Sequence, residues 1–335
     1  MANISRKNGK EHILVTGGAG YIGSHVVLAL CDAGYRVTVV DNLSTGFRSA
    51  VPVKAAFVLG EVGDLDFVVK LLRDGSFDAV MHFAASLTVP ESVANPLKYY
   101  SNNSCSTRAL LEAMIITGVC NFVFSSTAAI YGIPEELPIT EAAIPNPINP
   151  YGASKLVIEW MLRDVAAAFP FRFAALRYFN VAGADPQGRA GQRTAGATHL
   201  IKAVVEQVVG RRNVVEIFGT EFPTPDGTGV RDYIHVSDLA DVHVLALKRL
   251  LAGGHCIVAN CGYGRGFSVK QVIEAAERVG GTRLNVRLCP ARAGDPPAVI
   301  ADPSLAQSEL NWRPQYDDLD TILRDALRWE SRSAS

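Results

Sequence analysis

The stretch His12-Ile13-Leu14-Val15-Thr16 runs straight into Gly17-Gly18-Ala19-Gly20-Tyr21-Ile22-Gly23, and a helical apolar pattern follows over residues 24–33. A short, continuous apolar run predicts a strand buried on both faces. Gly17 permits the tight turn, Gly20 lets the backbone approach a pyrophosphate, and Gly23 lets helix and strand pack closely. The pyrophosphate would sit on the helix N-terminus, where unpaired N–H groups point outward. A second strand, residues 36–40, ends in Asp41, near the expected ~20-residue spacing beyond the glycines. A carboxylate there suits the ribose hydroxyls and repels a 2′-phosphate, which predicts NAD rather than NADP. The competing reading of Asp41 is a carboxylate that caps its own loop.

The alternation of strand and helix continues outward from this unit. Strands are predicted over 56–59, 79–83, 121–125 and 173–176, and helices over 64–73, 96–117 and from Asn149 onward. After Asn180 the regular alternation breaks. A loop rich in Gly, Asp and Arg (184–198) is followed by a helix over 199–209, a strand over 215–218 and a turn-rich loop over 223–232. A strand over 233–236 and helices over 236–251, 267–279 and 319–329 complete the chain. The fold class is therefore α/β, a doubly wound parallel sheet (Rossmann) with a smaller, discontinuous α/β substrate lobe. The boundaries read as 1–180 for the dinucleotide domain, with a segment around 233–260 returning to it, and mainly 181–335 for the substrate lobe. His82, on the fourth strand, reads as a core or supporting histidine.

A second stretch supplies candidate chemistry. Asn149-Pro150-Tyr151-Gly152-Ala153-Ser154-Lys155 has an N-cap and a proline suited to the first helical position. Tyr151 and Lys155 then stand one turn apart on one face. An ammonium beside the phenol and the positive end of the helix both favour the phenolate, and together with a cationic cofactor ring they are expected to lower the pKa of Tyr151 enough for it to act as a general base near neutrality. Taken alone, the same spacing reads better as an accidental helix face. Ser125, Ser126 and Thr127 fall at the carboxyl end of a strand, where an open α/β sheet keeps its ligand crevice. A polar strand-to-loop transition is the plainer alternative there.

With 335 residues the chain can bury a substantial core, and its net charge of -1 gives no reason to expect nucleic acid or a charged membrane surface. No apolar stretch is long enough to span a bilayer. Residues 1–10 are polar and lack the apolar segment of a signal peptide, reading as a frayed leader. Six scattered cysteines without a Cys-x-x-Cys pair suit reduced thiols in the cytoplasm. His235, Asp238, Asp241 and His243 lack the spacing of a metal site, so no metal is expected. Arg231 and Arg292, each set among loop residues, suit a diphosphate ligand if they face one cleft.

Taken together, these residues resemble the extended short-chain dehydrogenase/reductases and, within them, the UDP-glucose 4-epimerase branch. The resemblance covers about residues 13–329. It rests on the glycine stretch from Thr16 to Ser24, on Asp41-Asn42-Leu43, Phe83-Ala84-Ala85, the Tyr99 to Asn103 run and Phe124-Ser125-Ser126-Thr127. Tyr151 with Lys155, Arg177-Tyr178-Phe179-Asn180, the run from Asp226 to His235, and Glu309-Leu310-Asn311-Trp312 complete it. The resemblance implies tightly held NAD and interconversion of UDP-glucose and UDP-galactose through a 4-keto sugar. Tyr151 would be the base, Thr127 its hydroxyl partner, and Lys155 the residue that tunes Tyr151 and holds the cofactor ribose. NAD contacts would come from Gly17, Gly20, Tyr21, Ile22, Gly23, Asp41, Asn42, Leu43, Ser44, Thr45, Gly46, Glu61 and Val62. Phe83, Ala84, Ala85, Leu87, Asn103, Ser125, Tyr151, Lys155, Tyr178 and Phe179 would supply the rest. The UDP-sugar would meet Ser126, Thr127, Tyr151, Asn180, His199, Leu200, Phe218, Arg231, Arg292, Asp295 and Val299.

Departures from the family pattern are also present. Glu61 stands where Asp is frequent, Leu87 where some members have Lys, and His199 where Asn is common. Val299 replaces a bulkier aromatic, which opens the alternative that UDP-GlcNAc and UDP-GalNAc, or another UDP-sugar, are the substrates. Ala128 and Ala129 occupy the places where related dehydratases carry an acid and a base, which argues against elimination and decarboxylation. A non-enzymatic NAD-binding regulator is the alternative from another class; retention of Tyr151, Lys155 and Thr127 weighs against it. The family resemblance also implies a cytoplasmic homodimer, formed by the helices over 96–117 and 151–169.

Overall fold

The computed structural model describes residues 10–194, 199–292 and 294–332. Residues 1–9 of the expected leader and 195–198 of the expected substrate-side loop lie outside the described residues. The chain opens with β1 (His12–Thr16), α1 (Tyr21–Asp32), β2 (Arg36–Asp41), β3 (Ala56–Leu59), α2 (Leu65–Gly75) and β4 (Ala79–His82). Next come α3 (Val89–Ala94), α4 (Pro96–Tyr99), a π-helical turn (Tyr100–Cys105), α5 (Ser106–Thr117), β5 (Asn121–Ser125), α6 (Pro150–Ala168) and β6 (Arg172–Tyr178). The chain then forms β7 (Asn180–Ala182), α7 (Leu200–Val208), β8 (Val215–Phe218), β9 (Val230–His235), α8 (Val236–Leu251) and β10 (Ile257–Cys261). It ends in β11 (Gly266–Ser268), α9 (Val269–Gly280), β12 (Val286–Cys289), β13 (Ala298–Val299), α10 (Ser304–Glu309) and α11 (Leu319–Arg332).

Seven parallel strands form the main sheet in the order β10-β6-β5-β4-β1-β2-β3. Successive strand residues serve opposite layers, as a two-sided sheet requires. Ile13 and Val15 pack with Val26 and Leu30 of α1 and with Leu239 and Leu247 of α8. Leu14 turns the other way, toward Leu72 of α2, Leu110 of α5 and Leu162 of α6. Each such side chain, fully buried, contributes about 1.5–3 kcal/mol relative to exposure. The strand order reverses between β1 and β4, which opens a crevice at their carboxyl ends.

The smaller lobe carries β11-β9-β13, with β7 also paired to β9, and the separate pair β12-β8. Its core joins Val204 of α7, Ile217 of β8, Val272 of α9 and Ile322 of α11. The sequence reading gave no strand for β7, β10, β11, β12 or β13, which span five residues or fewer. Runs of two or three residues, as in β7, β11 and β13, carry too little periodicity to be distinguished from loop. The expected helix from 267 starts instead at Val269, because Ser268 and Gln271 form a reciprocal capping box.

The helix expected over 96–117 is present but interrupted by the π-helical turn. Asn103 sits in that turn and is fully buried. Its side chain accepts from Ser86 N at 2.8 Å and donates to Ser86 O at 3.1 Å and Ser154 Oγ at 3.0 Å. It therefore ties the segment after β4 to the first turns of α6. Among the described residues no helix is long and apolar enough to cross a membrane.

Candidate active site

The glycine stretch forms a cradle. Gly17 has φ +72°, and a Cβ there would lie 2.4 Å from Ala84 N; a Cβ at Gly23 would lie 2.2 Å from Gly17 O. The turn is thus pressed against the end of β4 and the start of α1. Gly20 meets only Gly17 O, at 3.3 Å, and it begins α1 with no side-chain cap. That leaves N–H groups of a helix N-terminus facing the crevice, with no acidic side chain in the first turn. The cradle fits the diphosphate of a dinucleotide.

The Asp41 carboxylate accepts from Ala19 N at 3.0 Å and from Leu43 N at 2.8 Å. The loop-capping role set aside in the sequence reading is therefore present: Asp41 joins the glycine stretch to the turn after β2. Next to it, Asn42 donates to Glu61 at 3.1 Å and accepts from Ser44 N. Ser44 and Thr45 are exposed, Val62 is buried, and Gly46 packs against Ala19. Phe83 and Ala84 follow β4 directly, with Ala85 beside them and Leu87 exposed farther out. Tyr21 donates to Gly183 O at 2.7 Å, linking α1 to the chain after β7, and Ile22 packs against the sheet core.

Across the crevice, Asn149 Oδ1 accepts from Gly152 N at 2.9 Å and caps α6, with Pro150 in the first position. This places Tyr151 in the first turn, buried, and hydrogen-bonded to Thr127. Lys155 Nζ donates to Ser125 O at 2.9 Å and lies 4.9 Å from the centre of the Phe124 ring. Tyr178 accepts from Ser125 Oγ at 3.1 Å, and Phe179 is buried beside Ala128 and Ile130.

The chain's own share of the expected lowering of Tyr151 is not found. Burial pushes its phenol up, and the hydrogen bond with Thr127 only opposes this. Burial also pulls Lys155 down to about 7. Both groups lie in the same dry layer, and dry surroundings disfavour each charged form. The ammonium is directed to the Ser125 carbonyl rather than at the phenol. The chain's own groups therefore do not ionise Tyr151; additional positive charge must do so.

Ser126 corrects another expectation. It is fully buried, and its hydroxyl donates to Glu159 at 2.6 Å, away from the crevice. Arg231 lies on β9 rather than in a loop, and its guanidinium meets Asp295 at 2.5 Å. Arg292 stacks over Phe218, 3.9 Å from the ring centre. Phe218 ends β8 and Val299 pairs with Arg231 across β13 and β9, so these residues form two groups in the smaller lobe, Phe218 with Arg292 and Arg231 with Asp295 and Val299. Asn180 is exposed at the start of β7, His199 is exposed before α7 with Nδ1 3.4 Å from the Gln192 amide, and Leu200 is half-buried. His235 caps α8 by accepting from Ser237 N, and Asp238 accepts from Tyr263. His243 bonds the Leu239 carbonyl, so these side chains are spent separately. His82 bridges Thr16 and Thr107 inside the sheet.

The sequence reading missed Glu159, Tyr131 and Asn260, which form a buried chain with Arg177 behind the site. The spacing of Tyr151, Lys155 and Glu159 along one helix face was the available signal.

A sequence profile of the NAD dependent epimerase/dehydratase family matches residues 13–262. The chain belongs to this family. Within the epimerase/dehydratases, a UDP-glucose 4-epimerase of Azospirillum brasilense is 54% identical over 318 residues, covering 95% of this chain and 91% of the relative. The crystal structure of UDP-glucose 4-epimerase from Brucella ovis in complex with NAD superposes with TM-score 0.93 and 46% identity. That match covers 96% of this chain and 98% of the other. The Bifidobacterium longum UDP-glucose 4-epimerase, in complex with NAD+ and UDP, gives TM-score 0.91 and 38% identity over 96% and 99% of the chains.

Proposed function

We propose that this epimerase/dehydratase is a UDP-glucose 4-epimerase that interconverts UDP-glucose and UDP-galactose through a 4-keto sugar, with NAD as its resident cofactor. The observation that carries the reading is Tyr151, buried in the first turn of α6, facing Thr127 just past the end of β5. Thr127 is followed by Ala128 and Ala129, where no second proton-transfer pair stands. Bound NAD would supply a hydride acceptor and donor for the sugar C4 and positive charge in the site. The chain does the rest. Gly17, Gly20 and Gly23 cradle the cofactor diphosphate, Asp41 meets its ribose side, and Lys155 holds the other ribose. Tyr151 takes the proton from the C4 hydroxyl and returns it to the C4 oxygen once the ketone has turned its other face. Thr127 holds that oxygen within reach. Arg231, Arg292 and Phe218 grip the UDP, so the sugar can turn while its anchor stays fixed. The test is a panel of UDP-sugars assayed with the NAD-loaded enzyme. Interconversion of UDP-galactose and UDP-glucose is expected, and no turnover together with no bound NAD would favour a regulator.

Val299 supports a second substrate class. Its small side chain packs toward Ala128 and Phe179, at the sugar side of the site. Turnover of UDP-GlcNAc is expected, and Val299→Tyr should cut it at least about tenfold more than turnover of UDP-galactose, as a pocket-size change of a few kcal/mol implies. Absence of any UDP-GlcNAc turnover in the unsubstituted enzyme rejects this reading.

The same function is read in a homodimer. Leu111, Ile115, Met161, Val165 and Phe169 line an apolar groove between α5 and α6. Ile116 and Phe169 stand about half exposed there, at 49% and 45%, and Trp160 is 52% exposed elsewhere on α6. An apolar face of this kind suits a second copy packing helix on helix. Light scattering should give twice the chain mass, and Trp160→Glu should shift it toward the monomer; a monomer at all concentrations before substitution would refute this arrangement.

A further inference from the structure

Tyr151, Lys155 and Glu159 stand on successive turns of one face of α6. Each is joined to a different residue of the short run that leaves β5. Lys155 Nζ donates to Ser125 O at 2.9 Å, Ser126 Oγ donates to Glu159 Oε1 at 2.6 Å, and Tyr151 is hydrogen-bonded to Thr127. Glu159 is in turn clamped by Arg177, whose Nε meets Oε1 at 3.0 Å and whose terminal nitrogen meets Oε2 at 2.6 Å. The other Arg177 nitrogen donates to the Tyr131 hydroxyl at 2.8 Å, and Tyr131 donates to Asn260 Oδ1 at 2.8 Å. Ser126, Glu159 and Asn260 are fully buried and Arg177 is 1% exposed.

Such a pair costs desolvation, and apolar residues of similar volume would stabilise the core about as well. What the pair adds is geometry. A bidentate guanidinium fixes both carboxylate oxygens, and one of those oxygens holds the residue immediately before Thr127. Resting on the epimerase reading, we propose that Glu159, locked by Arg177, is a positioning residue that holds Thr127 opposite Tyr151 by way of Ser126. Glu159 does not touch the reacting atoms. It removes the freedom of the strand end to slide along α6, so the sugar C4 oxygen meets both hydroxyls at once.

The test compares Ser126→Ala, Glu159→Gln and Glu159→Leu with the unsubstituted NAD-loaded enzyme on UDP-galactose. kcat, KM, NAD bound per chain and UDP affinity by calorimetry are measured. Ser126→Ala should lower kcat about 10- to 100-fold, the scale of a misplacement near 1 Å. KM, NAD content and UDP affinity should stay within about threefold, the pattern of a loss confined to the transition state. Glu159→Gln, which keeps an acceptor for Ser126, should retain more kcat than Glu159→Leu. An unchanged kcat in Ser126→Ala, with the unsubstituted enzyme active, overturns the proposal alone. So does a loss carried entirely by KM or UDP affinity, which would place Ser126 on the substrate. An unsubstituted enzyme inactive on UDP-galactose overturns the epimerase reading itself. If the Glu159 variants fail to fold, Ser126→Ala decides, because it leaves the Glu159–Arg177 pair intact.

Discussion

Tyr151→Phe should lower kcat for UDP-galactose by about 10³-fold, within the range of removing a positioned general base. The substitution deletes one oxygen and keeps the ring, which packs edge-on to Tyr99 at 6.5 Å between centroids. The fold and the bound NAD should therefore be retained, and KM should change little, since the base acts on the transition state. The pH dependence has a definite sign. In the proposed mechanism Tyr151 must be ionised to take the C4 proton, so kcat should rise with pH along its acid limb. Burial moves that limb upward, and positive charge brought by the cofactor moves it downward. Tyr151→Phe should remove the limb along with the activity. Retention of more than a tenth of the activity would place the base elsewhere.

Arg177→Met should be the most damaging single change to stability away from the glycine stretch. It leaves the Glu159 carboxylate fully buried and, among the described residues, held only by the Ser126 hydroxyl. Removing one partner of a buried ion pair costs about 3–5 kcal/mol. For a chain of 335 residues that corresponds to a fall of roughly 4–7 °C in the thermal midpoint. The double variant Glu159→Met/Arg177→Met removes both charges and should recover most of that loss, because neither desolvation cost remains. A single variant as stable as the unsubstituted protein, or a double variant worse than the single, would contradict this account. The pair of results also distinguishes stability from positioning, since the double variant should fold yet remain slow.

The parts of the site that were legible in sequence are those fixed by local backbone demands. Gly17 and Gly23 are glycines because any Cβ there would collide with backbone a few residues or one strand away. Asn149 and Pro150 announce the start of α6 because helix N-termini require those residue types. Tyr151 and Lys155 share a face because the helix repeats every 3.6 residues. These constraints act within one turn or one strand–helix unit, so the chain records them in order.

Other features depend on what lies across the fold. The Tyr151 phenol is raised rather than lowered because burial, not the neighbouring ammonium, dominates its surroundings. Ser126 faces Glu159 instead of the substrate because, one residue past β5, its N–H still pairs with Leu176 O of β6 at 2.9 Å while its hydroxyl is directed at α6. Arg231 lies on a strand because β13, β11 and β7 all gather around β9 from distant parts of the chain. The sequence by itself determined the dinucleotide cradle, the capped helix and the tyrosine–lysine spacing, all products of short-range sterics. Tertiary structure alone decided which of those side chains are dry, which face the crevice, and that a buried glutamate holds Ser126, since burial and side-chain direction are set by elements that meet only after folding.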